Sequence, residues 1–185
     1  MPHVTRLHDR DAPLSPVVAA ISFDEQGRNC LRQALRLAAR RGRPVIALHV
    51  LNETPRTLGF YRLHDDGEVL RPIADVAESL LAGFSAEVIA DQPDWVHVTL
   101  RQLVVSGVPD RRVVEVAGLA GAELVVVGGR RKSALQRLLG RDVTGAVLRY
   151  APCPVVVVDD DGSHLRPPEQ GGRRGQPLPT VAETS

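Results

Sequence analysis

The chain has 185 residues, room for one ordinary domain with tails. Its 43% hydrophobic and 24% charged content is that of a folded globular protein, which excludes a fibrous or wholly disordered chain. With 23 Lys and Arg against 22 Asp and Glu, the net charge of +1 provides no field to gather nucleic acid or an acidic membrane, so any anion site must be local.

Residues 1–14 show no periodicity and read as a disordered N-terminal tail. Val17 to Ile21 is a short apolar run without polar interruption, the pattern of a strand covered on both faces. Leu31, Ala34, Leu35 and Ala38 recur at helical spacing, and Val45 to Val50 predicts a second buried strand. The connection from about Asn52 to Arg71 carries no interpretable pattern. Ile73, Val76, Ala77, Leu80, Leu81 and Phe84 form the next helical face. Trp95, His97 and Thr99 then alternate with Val96, Val98 and Leu100, which predicts a half-covered strand near an edge. Val113, Val116, Ala117 and Ala120 predict a helix, and Leu124 to Val127 a fourth strand. Leu135, Leu138 and Leu139, then Val143, Val147 and Leu148, continue the helical theme before a fifth strand at Val155 to Val158. Residues 161–185 are rich in proline and glycine, with Arg166, Arg173 and Arg174 balanced by Asp161, Glu169 and Glu183, and read as a disordered C-terminal tail.

Strands alternating with helices predict a single α/β domain over residues 15–160. Its core is an open, mainly parallel sheet of five strands with helices on both faces, because parallel strands need crossover connections. Ligands in such sheets sit beyond the carboxyl ends of the strands where strand order reverses. The residues just after Ile21, Val50 and Val127 therefore form the expected site.

Several chemistries are excluded or disfavoured. The apolar runs fall far short of the roughly 20 residues that span a bilayer, so no membrane partner is expected. Cys30 and Cys153 read as reduced thiols, and the expected location is cytoplasmic. Aromatic content of 3% supplies few stacking platforms for nucleic acid. Lys132-Ser133 is preceded by Arg131, and Val126 stands at the leading glycine position, so there is no Walker A loop. No Gly-x-Ser-x-Gly elbow or nucleophile–base pair is present; no catalytic residue is assigned and no enzymatic activity is expected. The histidines lack metal-ligand spacing, and Asp65, Asp66 and Glu68 around Gly67 read as a solvated turn, so no metal is expected. His49 reads as a packed, hydrogen-bonded side chain, and Cys153, between Pro152 and Pro154, as a small apolar group, with redox sensing as the alternative.

The most informative stretch runs from Gly107 to Val158. Gly128 and Gly129 end a strand and are followed by Arg130, Arg131 and Lys132, with Ser133 opening a helix. Glycines to turn the chain, free backbone N–H groups and three cations could receive an anion, or could form a solvated basic loop. Gly107-Val108-Pro109, Leu124 to Gly128, the Leu-rich turn Leu135 to Gly140, and Ala151-Pro152-Cys153-Pro154 leading into Val155 to Val158 together resemble the universal stress protein family, the UspA-like branch of adenine-nucleotide-binding α/β folds. The resemblance covers roughly residues 16–158. It implies strand order 3-2-1-4-5, a homodimer paired through Val155, Val156, Val157 and Val158, and a pocket for ATP or AMP. The positions that would build that pocket are Ser22, Val50, Gly128, Arg130, Arg131, Arg141, Asp142, Val143 and Thr144.

Nucleotide-binding members of that family carry a glycine, two residues, a second glycine, nine residues, then Gly-Ser or Gly-Thr. Starting at Gly128, the second glycine falls on Arg131 and the closing pair on Arg141-Asp142, so only the first glycine remains. The acidic residue that ends the first strand in the family is also displaced, since Ser22 and Phe23 intervene before Asp24. The expected function is a stress-related homodimeric signalling or scaffolding module with a degenerate pocket and an unknown protein partner. The alternative is a regulator that still binds ATP, AMP or another phosphorylated ligand through Gly128 and the arginines. A nucleotide-hydrolysing enzyme stands third.

Overall fold

The computed structural model describes residues 14–52, 60–62, 70–129, 142–159, 162 and 164–165. In chain order its elements are β1 (Val17–Ala20), α1 (Glu25–Arg41), β2 (Val45–Leu51), β3 (Phe60–Arg62), β4 (Leu70–Pro72) and α2 (Ile73–Ala90). They continue with β5 (Leu100–Ser106), α3 (Pro109–Leu119), β6 (Leu124–Gly128), α4 (Val143–Tyr150), β7 (Val155–Val158) and β8 (His164–Leu165). The main sheet is ordered β5-β2-β1-β6-β7-β8, and its first five strands are mutually parallel. Numbered by their order within that parallel set, they read 3-2-1-4-5, as expected.

Period-two alternation within the buried strands builds two cores. Val17 and Ala19 of β1 join Leu31 and Leu35 of α1 and Leu81 and Phe84 of α2 on one face. Val18, one residue along, faces the other way with Ile46, Leu48, Val113, Ala117, Val125 and Val147, under α3 and α4. Both faces being covered explains why these strands carry so little polar sequence. Helix α1 ends at Gly42, whose φ of 60° is the left-handed cap conformation and whose N–H donates to the Ala38 carbonyl.

The structure departs from the sequence reading in three places. Residues 95–100 are not the third strand: Pro93–Trp95 is a 3-10 turn, and the strand runs from Leu100 to Ser106. The Val98 N–H donates to the Trp95 carbonyl at 2.9 Å, and this turn buries Trp95 and Val98 in the same core although alternation puts them on opposite faces. Second, the unpatterned 52–71 segment contains the antiparallel hairpin β3–β4, a separate two-stranded sheet. Third, Val155 to Val158 is not an open edge along its whole length. Strand β8, inside the segment read as a tail, pairs antiparallel with it, Val157 opposite Leu165 and Val158 opposite His164. The helical pattern at 135–139, the tail at 1–13 and the tail from 166 onward lie outside the described residues.

Candidate functional site

The carboxyl ends of β1, β2 and β6 converge where strand order reverses, and the sequence between β1 and α1 determines how closely they approach. Asp24 is the N-cap of α1: its Oδ1 accepts the Gly27 N–H at 2.9 Å and the Ser22 hydroxyl at 2.6 Å. Both Ser22 and the displaced acidic residue are thereby engaged in the helix start. Gly27 is buried beneath them, and a Cβ there would collide with the Ser22 carbonyl oxygen. The first turn of α1 is thus pressed onto the β1–α1 connection.

That packing carries Gln26 over the end of β6. Gln26 is 9% exposed, and a Cβ on Gly128 would stand 2.5 Å from its Cδ and 2.7 Å from its Oε1. A Cβ on Gly129 would overlap Val157 Cγ1 and lie 3.5 Å from an oxygen of the buried Asp159 carboxylate. Neither glycine has the positive φ that the turn reading requires; among the described residues that conformation belongs to Gly42, Gly107, Gly121 and Gly162. Gly128 and Gly129 are small because the protein's own side chains fill the space above them.

Across the crevice, Asp142 caps α4, its Oδ1 accepting the Gly145 N–H at 3.0 Å. Its carboxylate therefore sits on a first-turn amide that a bound anion would otherwise use. The Thr144 hydroxyl donates to the Gly128 carbonyl at 2.6 Å and ties α4 to β6. Val143 and Val50 are half-buried and pack into the α3–α4 core. Of the expected pocket residues, the structure thus brings Gly128, Asp142 and Thr144 together. It engages Ser22 with Asp24, turns Val50 and Val143 into the core, and leaves Arg130, Arg131 and Arg141 outside the described residues.

His49, near the end of β2, is packed and hydrogen-bonded as expected. Its Nδ1 lies 2.9 Å from the Ile21 carbonyl, which can only accept, so Nδ1 carries the proton. Phe23 stacks on the imidazole at a centroid distance of 4.2 Å and meets Phe84 edge-on at 5.8 Å, while Arg28 lies over Phe84. Gln26 and Phe23 are the two site residues that the sequence reading missed. A polar residue in a helical stretch and a lone aromatic carry no spacing signal, and only the close approach governed by Gly27 puts them at the crevice.

Burial pushes the Cys30 thiol up to about 12, with the Asp24 charge adding to the effect, and burial pushes Cys153 up to about 11. Both thiols stay protonated at neutral pH, which argues against redox sensing at Cys153. Among the described residues no cluster of three or more His, Cys, Asp or Glu could hold a metal ion, and no helix is long and apolar enough to cross a membrane. A groove of about 710 Å³ lies at the opposite, amino-terminal end of the sheet, lined by Pro16, Ala38, Pro44, Ile46, Val98 and Leu119. It is remote from Gly128 and shares none of the expected pocket residues.

Residues 14–159 match the model of the universal stress protein family. Universal stress protein A homolog 1 of Coxiella burnetii is 27% identical over 143 residues, covering 77% of this chain and 94% of that protein. A universal stress protein of Mycobacterium tuberculosis is 30% identical over 150 residues; the match covers 79% of this chain and 42% of that longer protein. In three dimensions, a universal stress protein in complex with cAMP aligns with a TM-score of 0.59 at 20% identity, over 80% of this chain and 99% of that one. A universal stress protein from Archaeoglobus fulgidus in complex with dAMP aligns with a TM-score of 0.54 at 21% identity, over 78% and 98%. The fold, the strand order and the family match over most of the chain agree, and the chain belongs to the universal stress protein family.

Proposed function

We propose that this chain is a non-enzymatic, cytoplasmic signalling or scaffolding module that acts as a homodimer and whose nucleotide pocket is degenerate. The observation that carries the reading is Gln26 lying over Gly128, in the space a phosphate would need to reach the backbone at the end of β6. Asp142 supports it from the other side, since its carboxylate engages an α4 amide. A phosphate brought within about 4 Å of that charge is repelled by about 1 kcal/mol in water and about 4 kcal/mol at an intermediate dielectric. The dimer part of the proposal rests on the sheet edge at Val155 and Val156, where a second copy can pair across a two-fold axis.

A second reading, a regulator that binds an adenine nucleotide, is favoured by the structures of similar fold that are complexed with cAMP and dAMP. In it, Arg130, Arg131 and Arg141 would offset Asp142 by bidentate contacts to phosphate. Calorimetric titration with ATP, AMP and cAMP separates the two. The degenerate-pocket reading expects no saturable heat up to about 1 mM ligand, the affinity at which binding free energy falls to about 4 kcal/mol. A micromolar dissociation constant for any of the three would establish the regulator instead.

A further inference from the structure

We infer that β8 is an intramolecular placeholder on the sheet edge that a second copy of this chain pairs with, so that detachment of β8 controls dimer formation. The inference rests on the edge-paired dimer proposed above and adds its regulation. Strand β7 has β6 on one side, parallel to it, and β8 on the other, antiparallel. The outer edge therefore already accepts a strand in the antiparallel sense, the sense in which a two-fold axis would set one β7 against another. Both partners cannot occupy Val157 and Val158 together. Val155 and Val156 have no strand beside them on this side among the described residues. A run of four valines at a sheet edge is the kind of strand that recruits another chain unless something covers it.

The cover is short. Strand β8 contributes two residue pairs, and its turn is closed by the Gly162 N–H donating to the Asp159 carbonyl at 2.9 Å. Gly162 has φ of 77°, a left-handed conformation that a residue with a side chain adopts at a penalty. Among the described residues a Cβ there would come no closer than 3.6 Å to Asn29, ordinary van der Waals contact, so a substitution acts chiefly through the conformation of the turn. A cover that pairs through two residues among the described ones is displaced easily, and because both copies must shed it, the apparent dimer affinity scales with the square of the fraction of chains in which it is detached.

Sedimentation equilibrium on the full chain and on its Gly162→Val and Leu165→Pro variants tests this. Each variant is expected to dimerise about tenfold more tightly than the unchanged chain, and Val156→Pro added to Gly162→Val is expected to return it to monomer. A dimer constant that both opening substitutions leave unchanged or weaken, but that Val156→Pro abolishes, overturns the placeholder and leaves the edge-paired dimer standing. No dimer in any form, or a dimer indifferent to Val156→Pro, overturns both. Circular dichroism melts establish that each variant folds, and Gly162→Val carries the comparison alone if Leu165→Pro does not.

Discussion

Gln26, in the first turn of α1, lies across Gly128 at the end of β6, with its Cδ 2.5 Å from where a Gly128 Cβ would stand. The glycine is therefore a packing requirement of this chain whether or not a ligand ever visits it. Gly128→Ala should destabilise the fold by about 1–3 kcal/mol through overpacking. Gln26→Ala in the same chain should restore most of the loss, because the obstruction is the end of a flexible side chain. Urea unfolding of the two single variants and the double variant measures this; a neutral Gly128→Ala would show that the space above the glycine is open.

Gly27→Ala should be worse. Its Cβ would meet the backbone carbonyl of Ser22, which cannot swing aside as a side chain does. The expected loss is about 3 kcal/mol or more in urea unfolding, with no rescue by truncating Gln26 or Phe23. Recovery in either double variant would place the obstruction elsewhere.

The Asp142 cap separates stability from charge. Asp142→Ala removes the acceptor for the Gly145 N–H and should lower stability by about 1 kcal/mol, whereas Asp142→Ser keeps an acceptor and should stay within a few tenths of that of the unchanged chain. Thermal melts of the two variants make the comparison. Equal losses would mean that the carboxylate acts through its charge on the helix dipole and not through its hydrogen bond.

Cys30 predicts an alkaline limb. The folded chain holds this thiol up to about 12 against the usual 9.0. Below pH 9 both states keep the proton and the group has no effect. Between about pH 9 and 12 the unfolded chain loses its proton while the folded chain retains it, so stability falls as pH rises, by up to about 1.4 kcal/mol per pH unit. Urea midpoints at pH 8, 9 and 10 should decline more steeply for the unchanged chain than for Cys30→Ala. Parallel declines would mean that the thiol is not the group responsible.

The sheet was legible because its strands are buried on both faces: Val17 to Ile21, Leu124 to Val127 and Val155 to Val158 show as unbroken apolar runs, and Val45 to Val50 as one interrupted by His49 alone. The edge strand was misplaced by five residues because Val96, Val98 and Leu100 alternate with His97 and Thr99 although Val98 is buried from a turn, while the true strand exposes Arg101, Gln102 and Leu103 in succession. Strands of two or three residues, such as β3, β4 and β8, are too short to carry a period. At the site, the glycine spacing and Asp142 singled out the end of β6 and the start of α4, which the Thr144 hydroxyl ties together. What fills the space there did not show, because Gln26 reaches Gly128 through the tertiary approach of α1 and through no local pattern.

Differential scanning calorimetry of the unchanged chain in millimolar ATP tests most directly the proposal that Gln26, lying over Gly128, keeps a nucleotide phosphate from the end of β6. The melting temperature should be unmoved by the nucleotide. Stabilisation of about 2.7 kcal/mol, the gain at a hundred times the dissociation constant, would contradict it.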